Sequence, residues 1–203
     1  MPSPENNPDL HGNVPDQSLV ALLLIDVLNS MQFEGSQPFA TRAASVGQRI
    51  AALKAEAKRV GVPVIYVNDN SHGRWRSDLT TMLKHGFARE TPGGPVLREL
   101  APAPDDYVVL KPKHSGFYAT PLDTVLQYMR VKRLVLAGFT TDQCVLFTAS
   151  DAFIRDYQLF VPSDCTATVE PADAEPALRL MRARLHVDTR HAADLDWQAL
   201  RAQ

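Results

Sequence analysis

The chain has 203 residues, of which 21 are Lys or Arg, 23 are Asp or Glu and two are Cys. The length fits a single α/β domain, and a formal charge of −2 argues against a binding surface for nucleic acid or for an anionic membrane. Cys144 and Cys165 are too few for a disulfide scaffold and form no C-x-x-C pair, so we expect free thiols in a reducing cytoplasm.

Residues 1–18 contain four prolines and few apolar residues. Such a composition buries too little surface to offset the entropy lost on ordering, which predicts a flexible N-terminal arm. The start of the chain lacks the basic and apolar stretches of a secretory signal, and the longest apolar run, Leu19–Ile25, is far shorter than the roughly 20 residues that span a bilayer. We therefore expect a cytoplasmic protein with a single domain over residues 19–203.

From residue 19 onward, short apolar runs alternate with segments of helical periodicity. The runs predict strands at Leu19–Ile25, Val62–Val67, Tyr107–Leu110, Arg133–Ala137, Gln158–Val161 and, more weakly, Leu185–Val187. The periodic segments predict helices at Phe39–Val60, Pro121–Met129, Cys144–Asp156 and Ala172–Arg184. Uninterrupted apolar strands between helices are typical of parallel strands that are buried on both faces. The sequence therefore predicts a three-layer α/β/α domain, with an open, mostly parallel sheet of about six strands and helices on both faces.

Residues 70–105 interrupt this alternation with a polar stretch that is rich in Gly and Pro. A loop-rich insertion of this length in a compact domain is usually functional. Trp75 and Arg76, together with Arg74 and Phe87, are candidates for a substrate pocket, although loop packing or an interface would explain them equally well. An Arg in such a pocket would suggest a substrate that carries a carboxylate.

Three polar residues at the ends of predicted elements are the main candidates for chemistry, because ligands of parallel sheets bind beyond the carboxyl ends of the strands. Asp26 ends the first strand, where it could be a turn former or a general base. Lys111 ends the third strand, where most lysines are solvated, but next to an Asp and a Cys it would stabilise both anions and lower the thiol pKa. Cys144 opens a helix, where an inert cysteine is common but the first-turn amides favour a thiolate and can stabilise an oxyanion.

The chain contains no G-x-G-x-x-G, P-loop, G-x-S-x-G or H-E-x-x-H motif, which argues against nucleotide binding and serine hydrolysis. Three other segments match motifs of a known family. The first, LLLIDVLNSM, contains an Asp-x-x-Asn motif at the end of a strand, and the second, VVLKPKHSGFYATPL, contains Lys-x-x-x-Ser-Gly-Phe-x-x-Thr-x-Leu. The third, LVLAGFTTDQCVLFTASDAF, contains Gly-x-x-Thr-x-x-Cys-Val-x-x-Thr-Ala-x-Asp-Ala. In this order and at these spacings, from about Val20 to Thr168, the chain resembles the isochorismatase-like cysteine hydrolase superfamily. That superfamily includes isochorismatases, nicotinamidases, N-carbamoylsarcosine amidases and ureidoacrylate amidohydrolases.

The resemblance implies a catalytic triad of Cys144, Asp26 and Lys111, in which Asp26 takes the thiol proton and passes it to the leaving group. It also implies a non-proline cis peptide bond at Thr140–Thr141, with an oxyanion hole made from an amide near Thr141 and the amide of Cys144. Lys111 is selected over Lys113 because, as in the family pattern, it stands four residues before Ser115.

The substrate contacts implied by the resemblance are less complete, because the family's Asp-Met-Gln-Asn-Asp-Phe box reads DVLNSM here. The remaining pocket candidates are Asn29, Met31, Asn68 and Phe117, the last of which would also support the lysine loop with Ser115. The nicotinamidase branch binds a metal through an Asp-x-His pair and a further His, whereas Asp69 and His72 stand at the wrong separation and His85 lies in the insertion. We therefore expect no catalytic metal and no cofactor.

Together these observations predict a metal-independent cysteine hydrolase of a small amide, ureide or related C–N substrate, acting through a thioester-type intermediate. Family members commonly form dimers or tetramers, and we expect a homo-oligomer. Three alternatives stay open: a vinyl-ether hydrolase of the isochorismatase type, a metal-dependent amidase of the nicotinamidase type, and a catalytically silent binding protein. Cys165 is interpreted as a packing residue.

Overall fold

A computed structural model describes residues 16–69, 78–80, 83–84 and 90–202 of the chain. Its strands, in chain order, are β1 (Val20–Ile25), β2 (Val64–Asp69), β3 (Tyr107–Lys111), β4 (Arg133–Phe139), β5 (Gln158–Phe160) and β6 (Thr166–Ala167). Its helices include α1 (Ser36–Arg59), α2 (Gly94–Glu99), α3 (Leu122–Tyr128), α4 (Leu146–Ile154), α5 (Ala174–Leu185) and α6 (Trp197–Arg201). A π-helical turn, Thr141–Val145, leads directly into α4.

The six strands form one sheet in the order β3-β2-β1-β4-β5, with β6 pairing the end of β4. Every strand pairing is parallel. The chain builds outward from β1 to β3 on one side and then returns to the other side of β1 with β4, so the strand order reverses between β1 and β4. In open α/β sheets, ligands bind in the crevice at this point, beyond the carboxyl ends of the strands.

Two hydrophobic cores cover the two faces of the sheet, which confirms the predicted three-layer α/β architecture. Because side chains alternate along a strand, Leu22 and Leu24 of β1 enter the core formed with α1, α2 and α6. Leu23 and Ile25 enter the opposite core, formed with α3, α4 and α5. All six residues of β1 are buried, and each fully buried Leu or Ile contributes about 1.5–3 kcal/mol to folding, so the central strand is a rigid platform.

Helix α1 is the clearest case of sequence periodicity converted into structure. The apolar stripe predicted from the sequence is buried at Ala43, Val46, Ile50, Leu53 and Ala57. The helix begins at Ser36 rather than at the predicted Phe39, because Gly35 adopts a left-handed conformation (φ 71°) that turns the chain into the helix.

The predicted weak strand at Leu185–Val187 is wrong, and a different short segment supplies the sixth strand. Leu185 is the last residue of α5, and His186 (φ 53°) ends that helix in a left-handed conformation. Val187 is buried in the core beside α5, and only Asp188 forms a single parallel bridge, with Phe160. Apolar character at these positions therefore reflects a helix end and a core contact rather than a strand.

Two other boundaries differ from the sequence-based prediction. The helix predicted to begin at Cys144 is a π-helical turn at that residue, and regular α-helix starts at Leu146. Within the predicted arm, the Ser18 amide donates to the Met129 carbonyl (2.9 Å), and the Tyr107 hydroxyl donates to Asp16 (2.5 Å), so its last residues contact the domain. Residues 1–15 lie outside the described residues, and their flexibility stays a prediction. In the part of the chain that the structure describes, none of the helices has the length and apolar character needed to cross a membrane.

Candidate active site

The sheet brings Asp26 and Lys111 together from two strands that do not pair with each other. Asp26 follows β1 directly, with φ 52°, and its amide donates to the Val67 carbonyl of β2 (3.0 Å). Lys111 is the last residue of β3, on the far side of β2. Its Nζ lies 2.8 Å from Oδ2 of Asp26, so the lysine spans the end of β2 and forms an ion pair beneath the carboxyl edge of the sheet.

The Lys111 side chain is fully buried, and three partners surround its ammonium group. Besides Asp26, Nζ donates to the Lys113 carbonyl (3.1 Å) and contacts Sγ of Cys144 (3.4 Å). Burial alone would lower the pKa of Lys111, but the negative charge of Asp26 and the interaction with Cys144 outweigh it and raise that pKa. Lys111 is therefore a permanent cation whose three hydrogen-bonding positions are used for orientation.

The Asp26 carboxylate is held by hydrogen bonds at both oxygens. Oδ2 faces Lys111, and Oδ1 accepts a hydrogen bond from the Asp69 amide (2.6 Å) at the end of β2. The side chain is almost completely buried. Because a buried carboxylate is costly unless it is paired and hydrogen-bonded, these contacts offset the cost of placing Asp26 beneath the surface.

Cys144 is brought to the same edge by a close approach of β4 to β1. Gly138 (φ 126°) lies so near β1 that a Cβ atom there would stand 2.0 Å from the Ile25 carbonyl oxygen. Two residues further on, the chain enters the π-helical turn in which Cys144 is buried. Only glycine permits both this backbone conformation and this approach, so Gly138 determines where the cysteine turn begins.

Hydrogen bonds tie the loop after Lys111 to the helix after Cys144. The Ser115 hydroxyl donates to Asp151 of α4. The Gly116 amide donates to the Thr148 hydroxyl (3.0 Å), which in turn donates to the Cys144 carbonyl (2.7 Å). These contacts fix the lysine and the cysteine relative to each other, and they give Ser115 the supporting position that the resemblance implies.

The pKa of the Cys144 thiol is raised, whereas a place at a helix start favours a lowered one. Burial raises its pKa, and the negative charge of Asp26 raises it further, while Lys111 lowers it; the outcome is a pKa of about 12. Lys111 therefore lowers the pKa of the thiol, as predicted, but by less than burial and Asp26 together raise it. The Asp26 carboxylate lies beside the thiol, within hydrogen-bonding reach of it.

A cavity of about 180 Å³ opens over these residues. Asp26, Cys144, Thr140 and His114 form part of its polar lining. An apolar wall faces them, formed by Met31, Phe39 and Phe139. The rings of Phe39 and Phe139 pack edge to face with their centroids 5.8 Å apart, which makes the wall rigid.

The predicted substrate-pocket residues separate into three groups. Asn29 and Met31 line the cavity. Asn68 and Phe117 are buried elsewhere: the Asn68 side chain bonds the amide and carbonyl of Leu28 (2.9 and 3.1 Å), and Phe117 packs near Tyr157. The prediction that they line the pocket is corrected: Asn68 holds the backbone of Leu28, and the Phe117 ring packs within the fold.

The remaining candidates of the insertion cannot be placed. Trp75 and Arg76 lie outside the described residues, as do Arg74, Phe87, His72 and His85. Among the residues that are described, no group of three or more His, Cys, Asp or Glu side chains is arranged to hold a metal ion.

The cis peptide bond lies one bond earlier than expected. It joins Phe139 to Thr140 rather than Thr140 to Thr141. Two consecutive threonines made the motif ambiguous by one position, and the structure places the bond where β4 ends. Thr140 lines the cavity, whereas the Thr141 side chain is fully buried and shares a hydrogen bond with the Thr166 hydroxyl (2.9 Å).

His114 is a site residue that sequence reasoning missed. Its Nδ1 lies 3.6 Å from Sγ of Cys144, its ring stacks on Phe147 with centroids 5.5 Å apart, and it lines the cavity. The residue occupies the last variable position of the Lys-x-x-x-Ser segment. The available signal was a histidine inside the segment that joins two motif residues, Lys111 and Ser115.

Comparison with known proteins agrees with this architecture. Residues 20–193 match the family model for the isochorismatase domain. The uncharacterised isochorismatase family protein YaaI of Bacillus subtilis is 34% identical over 161 residues, which cover 79% of this chain and 87% of that protein. The ureidoacrylate amidohydrolase RutB of Cronobacter sakazakii is 29% identical over 191 residues, covering 80% of each chain. The crystal structure of N-carbamoylsarcosine amidase from Thermoplasma acidophilum superposes with a TM-score of 0.67 at 26% identity, over 87% of this chain and 98% of that one.

Proposed function

Because this chain belongs to the isochorismatase family, whose relatives are hydrolases, we propose that it is a cysteine hydrolase that cleaves the C–N bond of a small amide or ureide. The observation that carries the proposal is the contact between the Cys144 thiol and Lys111, which is itself ion-paired with Asp26, in the lining of a cavity that opens to solvent. A nucleophile, a base and a cation that orients both are the parts needed for acyl transfer to sulfur.

The first half-reaction begins with a neutral thiol. Asp26 accepts the Cys144 proton as Sγ attacks the substrate carbonyl carbon, and Lys111 balances the charge throughout. Backbone amides of the cysteine turn, at Cys144 and next to Thr140, stabilise the oxyanion that forms on the carbonyl oxygen. Protonated Asp26 then gives its proton to the leaving nitrogen, the C–N bond breaks, and the acyl group remains on Cys144 as a thioester.

The size and the lining of the cavity limit the kind of substrate that it can bind. A cavity of about 180 Å³ admits a small molecule, and the wall of Met31, Phe39 and Phe139 favours one with an apolar portion beside its amide. Two of the relatives are named for a ureidoacrylate and an N-carbamoylsarcosine substrate. We therefore propose that the scissile carbonyl belongs to a primary amide or to a carbamoyl group attached to nitrogen.

The test is a panel of small amides and ureides assayed for ammonia release by the reduced protein, with and without a chelator. The proposal expects turnover of at least one compound, unchanged by chelation and lost in Cys144→Ala. Turnover that disappears on chelation would favour the nicotinamidase-type alternative. Cleavage of a vinyl ether that persists in Cys144→Ala would favour the isochorismatase type, and no turnover of any compound would favour a silent binding protein.

We also propose that the protein is a homo-oligomer, a dimer or tetramer. The support is the exposure of large apolar side chains on α4, where Phe147 is 51% and Ile154 is 73% exposed. Exposed aromatic and aliphatic groups on one helix are typical of protein interfaces. Light scattering of the purified protein measures the state directly, and a monomer at micromolar concentration would contradict this part of the proposal.

A further inference from the structure

We infer that His114 is a further catalytic residue, the general base that activates water for hydrolysis of the Cys144 thioester. The inference rests on the proposed function, since it assigns the second half-reaction of that chemistry. It starts from the contact between Nδ1 of His114 and Sγ of Cys144, at 3.6 Å.

The charged groups already in the site are less accessible to a water molecule than His114, which is exposed to solvent. The Lys111 ammonium is a cation engaged with Asp26, the Lys113 carbonyl and Sγ, so it has no lone pair to accept a proton. Asp26 lines the cavity, but it accepts hydrogen bonds at both oxygens, from Lys111 and from the Asp69 amide, and its side chain is almost completely buried. His114 both lines the cavity and is exposed, so a water molecule that enters from solvent can reach it more readily than it can reach Asp26.

The surroundings of His114 suit a proton acceptor. Its side chain is exposed on one side and lines the cavity on the other, so it connects the sulfur atom with solvent. The ring stacks on Phe147, which fixes its plane. Imidazole exchanges protons readily in the physiological pH range, which makes it the commonest general base in enzymes.

The step balances without any further reactant. Nδ1 of His114 takes a proton from water as the water oxygen attacks the thioester carbonyl carbon. The bond from that carbon to Sγ then breaks, and sulfur leaves with the electron pair. The imidazolium returns its proton to sulfur, which restores the neutral Cys144 thiol and neutral His114 and releases the acid.

The experiment uses p-nitrophenyl acetate, an activated ester that reports the two half-reactions separately. The release of p-nitrophenolate in the first turnover measures acetylation of Cys144, and the steady rate measures loss of the acetyl group when that loss is slow. The diagnostic variant is His114→Phe, which keeps a ring to stack on Phe147 but removes the nitrogen. We expect a stoichiometric burst, a steady rate roughly 10²-fold below that of the parent protein, and an acetyl adduct on Cys144 by mass spectrometry.

A control and a rescue separate catalysis from a structural effect. His191→Phe replaces an exposed histidine outside the cavity lining, and it is expected to keep the parent rate. For the rescue, His114→Ala is acetylated, freed of excess ester and treated with imidazole. The adduct is expected to decay faster with imidazole in His114→Ala but not in His114→Phe, where the ring fills the position.

Two results would overturn the inference while leaving the proposed function intact. The first is an unchanged steady rate and no adduct in His114→Phe. The second is a burst that slows in parallel with the steady rate, which would assign His114 to acylation instead. By contrast, a parent protein that releases p-nitrophenolate no faster than Cys144→Ala would contradict the proposed function as well, because no thioester would form.

Discussion

The two cysteines of this chain share an edge of the sheet and differ in what surrounds them. Cys144 lies in the turn after β4 and Cys165 in the turn after β5, and both thiols are buried. Burial raises the pKa of each to about 12. Yet Cys144 contacts Lys111 and His114 at a cavity, whereas Cys165 is fully buried in the core that packs against α1. Burial and pKa therefore do not distinguish the two cysteines; the neighbouring groups do.

The strongest way to break this comparison is to remove each sulfur in turn. We expect Cys144→Ala to lower turnover of any substrate by roughly 10⁴-fold or more, because the nucleophile is lost. Cys165→Ala should keep turnover near the parent level, since it changes only packing. Both variants should retain the parent far-UV circular dichroism spectrum. An active Cys144→Ala, or an inactive but folded Cys165→Ala, would reverse the assignment of the two thiols.

Removing the cation near each thiol tests how different the two surroundings are. Lys111→Met leaves the buried Asp26 carboxylate without its partner, and we expect the free energy of unfolding to fall by about 3–5 kcal/mol. The corresponding change at Cys165 is Arg49→Met, which removes an exposed cation and should cost less than about 1 kcal/mol. Urea denaturation measures both. The double variant Asp26→Asn/Lys111→Met should recover part of the loss, and a Lys111→Met protein as stable as Arg49→Met would refute the argument.

Alkylation tests the difference in access. Cys144 lines a cavity and Cys165 has no exposed surface, so iodoacetamide should label Cys144 in the folded protein at least about tenfold faster. Peptide mass spectrometry after timed quenching measures the two rates. In urea the rates should become equal, which serves as the control. Equal labelling in the folded protein would mean that the cavity does not set the reactivity of Cys144.

The last prediction concerns the raised pKa that the two thiols share. In the folded state the pKa of Cys165 is raised from 9.0 to about 12, so above about pH 9 the unfolded chain loses a proton that the folded chain keeps. The free energy of unfolding should be independent of this group below pH 9 and fall as pH rises from 9 to 12, by at most about 1.4 kcal/mol per pH unit. Cys165→Ala should therefore show a shallower decline than the parent protein. Tyrosines also titrate in this window but do so in both proteins, so parallel curves would contradict the prediction.

Much of the fold was accessible from the sequence because its strands are continuous apolar runs. Such a run is stable as a strand only when both of its faces are buried in the core. The bounds of β1 and β4 were therefore predicted to within a residue or two at each end. The short strand β6, Thr166–Ala167, carries no such signal, since it is held by pairing with the end of β4. The weak strand predicted at Leu185–Val187 failed because apolar residues at a helix end look the same as a strand in a linear pattern.

The residues of the candidate site also differ in whether the linear sequence carries a signal for them. Asp26 and Lys111 were identifiable because each is a charged residue directly after an apolar run, a placement that is costly without a partner. His114 sits in a polar loop where histidine is unremarkable, and only the packing of that loop against α4 brings it to Cys144. The raised pKa of the thiol was equally hidden: proximity to a helix start can be read from sequence, whereas burial beside a carboxylate cannot.

The pairing of β1 with β4 has a consequence for the newly made chain. These strands are neighbours in the sheet, but residue 26 and residue 144 are separated by most of the protein, so closing the loop between them carries a large entropic cost. Pairing between such distant segments is intrinsically slow. Until it is complete, the Cys144 thiol lies apart from Asp26 and Lys111. In the proposed mechanism, catalytic competence therefore requires that the whole central sheet has been assembled, and a chain that has not completed it is inactive.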